Sequence, residues 1–182
     1  MSKMSNHKRI VFFDGDGTIW YPKKTKHKEK PHWIYSTGGN YRNHSEYLML
    51  IPTVLNTLKK LKKLGVIIIL LSTHPESPEE GNKVVEHRIK HFNLDKLFDE
   101  IHATRDFHAS KGEFIVDILN KRKIPKSKAL MVGDSYRWDY RSARDVGIDS
   151  FLMESEYLKR DPQGKRVKKT IKKLSDILIY FQ

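Results

Sequence analysis

Two aspartates near the amino terminus have a spacing that could serve phosphoryl-transfer chemistry. Asp14 and Asp16 are separated by one glycine and followed by Gly17 and Thr18. The glycines allow the backbone to curl, so both carboxylates can face one ligand. Such a pair can hold Mg²⁺ through oxygen ligands while one carboxylate attacks phosphorus and the other transfers protons. An Asp/Gly turn or a calcium-binding loop would use the same residues, so the pair alone leaves these alternatives open.

Polar residues also follow three later apolar or helix-initiating segments. Ser72 and Thr73 offer hydroxyls for a phosphoryl oxygen, although a turn or helix cap uses the same residues. Lys111 stands at the predicted start of a helix, either as a charge for phosphate or as a solvated side chain. Asp134 and Asp139 form a second carboxylate pair, which a helix cap and a first-turn aspartate would also explain.

Short apolar strands alternating with helices must position these residues. Helical spacing of leucines over 54–64 and capping sequences at Ser77-Pro78-Glu79-Glu80 and Ser110-Lys111-Gly112-Glu113 predict three helices. The predicted strands are Ile10–Phe13, Val66–Leu71, Ile101–Ala103, Ala129–Val132 and Ser150–Met153. This alternation predicts an α/β, Rossmann-like parallel sheet flanked by helices. Ligands bind at the carboxyl ends of the strands of such sheets, which is where the polar residues lie.

The order of these groups along residues 9–153 resembles the haloacid dehalogenase (HAD) superfamily. The residues similar to its four motifs are Asp14-x-Asp16-Gly17-Thr18, Ser72, Lys111, and Gly133-Asp134 with Asp139. Within the superfamily the chain is similar to magnesium-dependent phosphatases with a minimal cap. It departs from many relatives at Gly15, where they carry a larger apolar residue, and at Thr73-His74. A response-regulator receiver also has a strand-end Asp, Ser/Thr and Lys, but it lacks the second carboxylate pair.

The resemblance implies a role for each matched residue. Asp14 would be the nucleophile that forms an aspartyl-phosphate, and Asp16 the general acid and base. Mg²⁺ would bind to Asp14, to the backbone carbonyl of Asp16 and to Asp134. The implied phosphate-binding residues are Ser72, Thr73 and Lys111, with Asp139 and Thr18 in support. The acid at position 16 favours hydrolysis of a phosphate ester over the chemistry of the superfamily's dehalogenases and ATP-driven pumps.

The composition limits the class of protein. The chain has 182 residues and no cysteine, which excludes disulfide frameworks, cysteine-ligated zinc and thiol nucleophiles. Its amino terminus lacks the apolar core of a signal peptide. The longest apolar run, Val66–Leu71, has six residues, against roughly 20 for a membrane helix. We therefore expect a single HAD-like domain over residues 1–182, with its core at about 9–20 and 48–155, located in the cytoplasm.

Two basic segments lie outside the motifs. Residues 21–47 are predicted to form a hairpin-like flap in place of a large cap, and 159–182 a basic amphipathic helix docked on the core. Candidate substrate contacts of the flap are Trp20, Trp33, Tyr35 and Arg42, although the tryptophans could equally anchor the hairpin. The tail helix could instead bind nucleic acid or an anionic membrane.

The net charge of +13 adds alternatives for function. The first hypothesis is a phosphomonoester hydrolase acting on a small or macromolecular phosphate. The second is a polynucleotide 3′- or 5′-end phosphatase, because an excess of positive charge favours nucleic acid as a partner. The third is a HAD-fold protein that binds phosphate or nucleic acid without catalysis.

Overall fold

The central element is a six-stranded parallel sheet. Across the sheet, the strands follow one another in the order Glu100–Thr104, Ile67–Thr73, Ile10–Phe13, Ala129–Gly133, Asp149–Met153 and Thr170–Ile171. A computed structural model of the chain describes residues 8–36, 44–104 and 110–182. The strands of this sheet are β1 (Ile10–Phe13), β4 (Ile67–Thr73), β5 (Glu100–Thr104), β6 (Ala129–Gly133), β7 (Asp149–Met153) and β8 (Thr170–Ile171). All four residues of β1 are buried, as expected for a strand in the middle of a sheet covered on both faces.

Helices connect the strands, and two of them begin at the predicted serine caps. The α-helices are α1 (Val54–Lys63), α2 (Pro78–His91), α3 (Lys111–Arg122), α4 (Ser142–Asp145) and α5 (Glu156–Arg160). Short 3-10 helices cover Pro31–Ser36, Ser45–Tyr47, Lys126–Lys128, Gly164–Arg166 and Leu174–Tyr180, and a π-helical turn covers Tyr136–Arg141. Ser77 and Ser110 accept hydrogen bonds from the backbone N–H of Glu80 and Glu113, which satisfies a free donor in each first helical turn.

Alternate residues of the central strands point into two separate apolar layers. Val11 and Phe13 pack on the side of α1, α2 and the carboxyl-terminal 3-10 helix. Ile10 and Phe12 pack on the side of α3 and α4. The predicted α/β sheet with helices on both faces is therefore confirmed.

A second, two-stranded antiparallel sheet forms the base of the insert. It pairs β2 (Trp20–Pro22) with β3 (Leu48–Leu50), so Trp20 lies opposite Leu50. The described part of the insert contains only turns and short 3-10 helices between these strands, and no large cap domain. Residues 37–43 of the predicted flap, with the candidate contact Arg42, lie outside the described residues.

The carboxyl-terminal segment differs from the prediction of one basic helix over 159–182. Helix α5 ends at Arg160, close to Pro162, which interrupts helical hydrogen bonding. The chain then adds β8 beside β7 and finishes as a 3-10 helix. Most of its apolar side chains are buried against the core and the lysines of 165–173 are exposed, as is Ile179; the buried ones are Ile171, Leu174, Ile177, Leu178 and Phe181. The tail thus docks on the core, as predicted, but as an edge strand and a short 3-10 helix.

Within the described ranges, no helix combines the length and the apolar character needed to cross a bilayer.

Candidate active site

The motif residues converge at one edge of the sheet because their strands are neighbours. Asp14 follows β1, Thr73 ends β4 and Asp134 follows β6, and β1 lies between the other two strands. The cavity at this edge has a volume of about 310 Å³. Its lining includes Asp14, Asp16, Thr73, Lys111, Asp134 and Asp139.

Three buried carboxylates form a cluster in this cavity. Asp14, Asp134 and Asp139 each place one oxygen within 4.8 Å of the others. Carboxylate oxygens are the ligands that Mg²⁺ prefers, so the donor set fits the predicted ion. The sequence interpretation gave Asp139 only a supporting role, whereas its carboxylate belongs to the cluster.

Lys111 is the single cation that contacts this cluster among the described residues. Its Nζ lies 2.6 Å from Asp14 Oδ1 and 2.6 Å from Asp139 Oδ1. Burial alone would lower the pKa of Lys111, but the charges of Asp139 and Asp14 outweigh it and raise that pKa above its ordinary value. The ammonium therefore stays charged, yet it offsets one of three carboxylates.

Burial and the remaining negative charge raise the pKa values of two carboxyl groups of the cluster. Burial raises the pKa of Asp14 well above its usual range; Lys111 opposes this, and Asp139 and Asp134 add to it. Burial and the charge of Asp139 raise the pKa of Asp134 to about 7, although the Tyr157 hydroxyl donates to Asp134 Oδ2 at 2.6 Å. A cation among these oxygens would relieve the repulsion.

Two glycines make the cluster sterically feasible. Gly17 has φ +79°, a left-handed conformation, and a Cβ there would lie 2.3 Å from Asp134 Oδ2. A Cβ on Gly133 would lie 2.2 Å from the Asp139 carboxyl. The N–H of Thr18 closes the turn by donating to the Gly15 carbonyl at 3.3 Å. Thr18 thus takes part in this turn through its backbone N–H, and its supporting role in the site stays a prediction.

Asp16 has a different environment from Asp14, although only one residue separates them. The guanidinium nitrogen Nη1 of Arg88 lies 3.0 Å from Asp16 Oδ1 and 3.2 Å from Asp16 Oδ2. The Trp20 indole N–H donates to Oδ1 at 2.8 Å, and the Tyr35 hydroxyl donates to Oδ2. Burial opposes ionisation, but Arg88 and these hydrogen bonds outweigh it, so the pKa of Asp16 is lowered. The early proton that the general-acid role requires is therefore disfavoured in this state.

The two predicted hydroxyls after β4 differ in their access to the cavity. Thr73 lines the cavity, and its Oγ1 has no hydrogen-bond partner among the described residues. Ser72 is 1% exposed and does not line the cavity; a Cβ on Gly15 would lie 3.2 Å from its Oγ. Thr73 is therefore the residue of this pair that borders the cavity.

Two candidate substrate contacts of the insert lie away from the cavity wall. Trp20 is buried against Asp16, and the Trp33 indole donates to Thr25 Oγ1 at 2.9 Å. A third candidate, Tyr35, lines the cavity together with His32.

Sequence reasoning missed two residues that contact the acids, Arg88 and Tyr157, and named Tyr35 only as a candidate substrate contact. A signal existed for Arg88, which stands on the apolar face of α2 between Val85 and Ile89. A charge at such a position requires a buried partner. No local pattern marked Tyr157.

Comparison with known proteins agrees with this geometry. Residues 3–153 match the family model described as haloacid dehalogenase-like hydrolase, and the chain belongs to that family. A curated relative from Caldanaerobacter subterraneus, named "Putative pyrophosphatase PpaX", is 29% identical over 117 residues, covering 63% of this chain and 50% of its own. A phosphoglycolate phosphatase of Pseudomonas savastanoi is 27% identical over 119 residues, covering 64% of this chain and 41% of its own. The chain thus matches about half the length of these relatives or less.

Solved structures share the fold. A predicted phosphoglycolate phosphatase from Haemophilus somnus superposes with a TM-score of 0.70 at 17% identity, covering 98% of this chain and 100% of its own. A HAD-superfamily hydrolase, subfamily IA, from Geobacter sulfurreducens superposes with a TM-score of 0.69 at 15% identity, covering 100% and 99%. At these identities the similarity concerns the fold alone.

Proposed function

We propose that the protein is a magnesium-dependent phosphomonoester hydrolase with Asp14 as its nucleophile. The observation that carries this proposal is the buried cluster of Asp14, Asp134 and Asp139, which lines a cavity and in which Lys111 contacts Asp14 and Asp139. Three carboxylates and one ammonium leave an excess of negative charge that suits a divalent cation. The phosphatase names of the curated relatives support the same class of reaction.

The first step transfers the phosphoryl group to the protein. An Asp14 carboxylate oxygen attacks phosphorus, the bond from phosphorus to the leaving oxygen breaks, and that oxygen takes a proton from Asp16. The products are the free alcohol and an aspartyl-phosphate on Asp14. Lys111 contacts Asp14 Oδ1 directly, so its ammonium stabilises charge that develops on the transferred group.

The second step restores the protein. Water attacks the phosphorus of the aspartyl-phosphate, Asp16 accepts the proton from that water, and the bond to Asp14 breaks to release inorganic phosphate. Asp16 thus recovers the proton that it gave to the leaving group. A magnesium ion bound by the cluster would neutralise the carboxylates and polarise a phosphoryl oxygen.

Phosphoryl oxygens would be bound by Lys111 and Thr73. Both line the cavity, and the Thr73 hydroxyl has no other hydrogen-bond partner among the residues described. Ser72, which was also predicted to bind phosphate, is buried and does not line the cavity.

The described insert contains no large cap, which favours access by large as well as small phosphate esters. Binding of nucleic acid by the basic segments and a cytoplasmic location stay predictions. A panel of a sugar phosphate, a phosphopeptide, a nucleotide, pyrophosphate and a 3′- or 5′-phosphorylated oligonucleotide separates the substrate classes. A polynucleotide end phosphatase would turn over the oligonucleotide far faster than the sugar phosphate at low salt.

The direct test compares the protein with its Asp14→Asn variant, using 4-nitrophenyl phosphate with Mg²⁺ or with EDTA. We expect a loss of at least about 1000-fold in kcat and acid-stable incorporation of labelled phosphate only in the unmodified protein. Asp95→Asn, at an exposed carboxylate, is the matched control. Equal turnover by the protein and Asp14→Asn would overturn the assignment of the nucleophile.

A further inference from the structure

Arg88 is the most deeply buried arginine of the described chain, and it points at the side chain assigned to proton transfer. It lies on α2, is 0% exposed, and contacts both oxygens of Asp16. The same nitrogen of Arg88 donates to the Tyr35 hydroxyl at 2.8 Å. Arg88 does not line the cavity, so any effect of Arg88 on the reaction must pass through Asp16 or Tyr35.

Tyr35 connects this pair to the insert. It stands on the 3-10 helix Pro31–Ser36, lines the cavity, and donates its hydroxyl hydrogen to Asp16 Oδ2. Its ring packs edge-on against His74, with centroids 5.2 Å apart. Above the base of the insert, where Trp20 lies, Tyr35 thus contacts the acid–base residue from the cavity side through its hydroxyl group.

Trp20 completes the environment of Asp16 and explains a departure of the sequence from its family. Its indole N–H donates to Asp16 Oδ1 at 2.8 Å, and the guanidinium carbon of Arg88 lies 5.8 Å from the Trp20 ring centroid. A Cβ at Gly15 would lie 2.9 Å from the Trp20 ring. The small residue at position 15 thus makes room for the indole that binds Asp16.

The three donors around Asp16 differ in chemistry. The indole and the guanidinium can only donate hydrogen bonds, whereas a tyrosine hydroxyl can donate and accept. When Asp16 carries the proton for the leaving group, Tyr35 is therefore the neighbour that can turn its hydroxyl and accept from Asp16. Arg88 holds the carboxylate in place during both steps, and its contact with Tyr35 holds the hydroxyl in reach.

We propose that Tyr35 and Arg88 are positioning residues for proton transfer by Asp16, with Tyr35 as the contact through which the insert controls that step. The proposal rests on the proposed phosphohydrolase function. It assigns to the insert a role in the chemistry, through one hydrogen bond, in addition to shaping the cavity.

Leaving groups of different basicity separate this role from a structural one. An alkoxide needs a proton when it departs, whereas 4-nitrophenolate leaves readily without one. We therefore expect Tyr35→Phe to lower kcat about 10-fold or more on glycerol phosphate, and less than about 3-fold on 4-nitrophenyl phosphate. Arg88→Lys keeps a positive charge and should show the same direction of selectivity. Tyr47→Phe and Lys90→Met, at exposed positions of the insert and of α2, are the matched controls.

A double-mutant cycle with Asp16→Asn tests whether the effect passes through Asp16. Tyr35→Phe should change kcat on glycerol phosphate less than about 2-fold in the Asp16→Asn background, because a positioning residue has nothing left to position. Equal losses on both substrates, or an undiminished loss in Asp16→Asn, would overturn the proposal. If the unmodified protein hydrolysed neither ester, the proposed function itself would be overturned. If Arg88→Lys does not fold, Tyr35→Phe decides the outcome alone.

Discussion

Asp14 and Asp16 belong to two neighbouring clusters with opposite charge balance. Asp14 shares its cavity with Asp134 and Asp139, and Lys111 offsets only part of their charge. Asp16 faces one arginine and two further hydrogen-bond donors, so its charge is matched. Accordingly, the pKa of Asp14 is raised and that of Asp16 is lowered.

The difference separates a cluster with an excess of negative charge from one whose carboxylate is paired, although Arg88 Nε and Nη2 have no hydrogen-bond partner among the described residues. An excess of buried negative charge is unfavourable until a cation binds, whereas a paired buried carboxylate becomes unfavourable when its partner is removed. Both clusters lie at the end of β1. Removing one carboxylate should lower the free energy of unfolding at the Asp16 cluster and raise it at the Asp14 cluster.

The largest expected effect comes from removing the charge opposite Asp16. Arg88→Met leaves a buried carboxylate without its cation, and we expect a loss of about 3–5 kcal/mol in the free energy of unfolding. Urea denaturation measures it. Adding Asp16→Asn to Arg88→Met should recover part of the loss, because the unpaired charge is then gone. Lys90→Met, on the exposed face of the same helix, should change stability by less than about 0.5 kcal/mol.

Magnesium should stabilise the first cluster and leave the second unaffected. At 100 times its Kd, a ligand specific for the folded state adds about 2.7 kcal/mol, which corresponds to roughly 5–11 °C in Tm for a chain of this length. Thermal denaturation with Mg²⁺ and with EDTA measures the shift. Asp134→Asn should abolish this shift in Tm. Asp16→Asn should retain it, because the predicted ligand atom of residue 16 is its backbone carbonyl oxygen, which the substitution leaves in place. A full response of Asp134→Asn would contradict the ligand assignment.

In EDTA, the stability of the protein should fall as the pH rises, because the carboxyl groups of the Asp14 cluster then lose their protons. The pKa of Asp134 is raised to about 7 by burial and by Asp139, against about 4 for an unfolded aspartate. Between these values the folded protein holds a proton that the unfolded chain has lost. The stabilisation is therefore present below about pH 4 and lost as the pH rises through about 7.

Thermal denaturation at intervals from pH 4 to pH 8 in EDTA measures this trend. Asp134→Asn should flatten the decline, and saturating Mg²⁺ should do the same in the unmodified protein. Asp16 has the opposite sign: because its pKa is lowered, its stabilisation is present above about pH 4 and is lost on further acidification. A decline of the same slope in Asp134→Asn would assign the titration to another group.

The smallest effect should come from Trp33, which contacts neither cluster. Trp33→Phe removes the hydrogen bond to Thr25 Oγ1 inside the insert, and we expect a loss of about 0.5–1.5 kcal/mol in stability. The kcat on 4-nitrophenyl phosphate should change less than about 3-fold. A large rise in KM with unchanged Tm would instead restore Trp33 as a substrate contact.

Much of the fold follows from local patterns. The runs at Ile10–Phe13 and Ala129–Val132 are strands in the structure, with one residue added to the latter, because continuous apolar sequence suits a buried parallel strand. The serine caps also began their helices where predicted. The tail was less predictable, because apolar residues with near-helical spacing also suit an edge strand followed by a 3-10 helix.

The convergence of Asp14, Thr73, Lys111 and Asp134 was predictable from the order of polar residues after the strands, since parallel strands bring their carboxyl ends to one edge. Which carboxylates keep an excess of negative charge and which are neutralised depends instead on long-range packing. Arg88 is 72 residues from Asp16, and Tyr35 is 19 residues from it. Contacts across such separations depend on how helices and insert pack on the sheet, which no local spacing encodes.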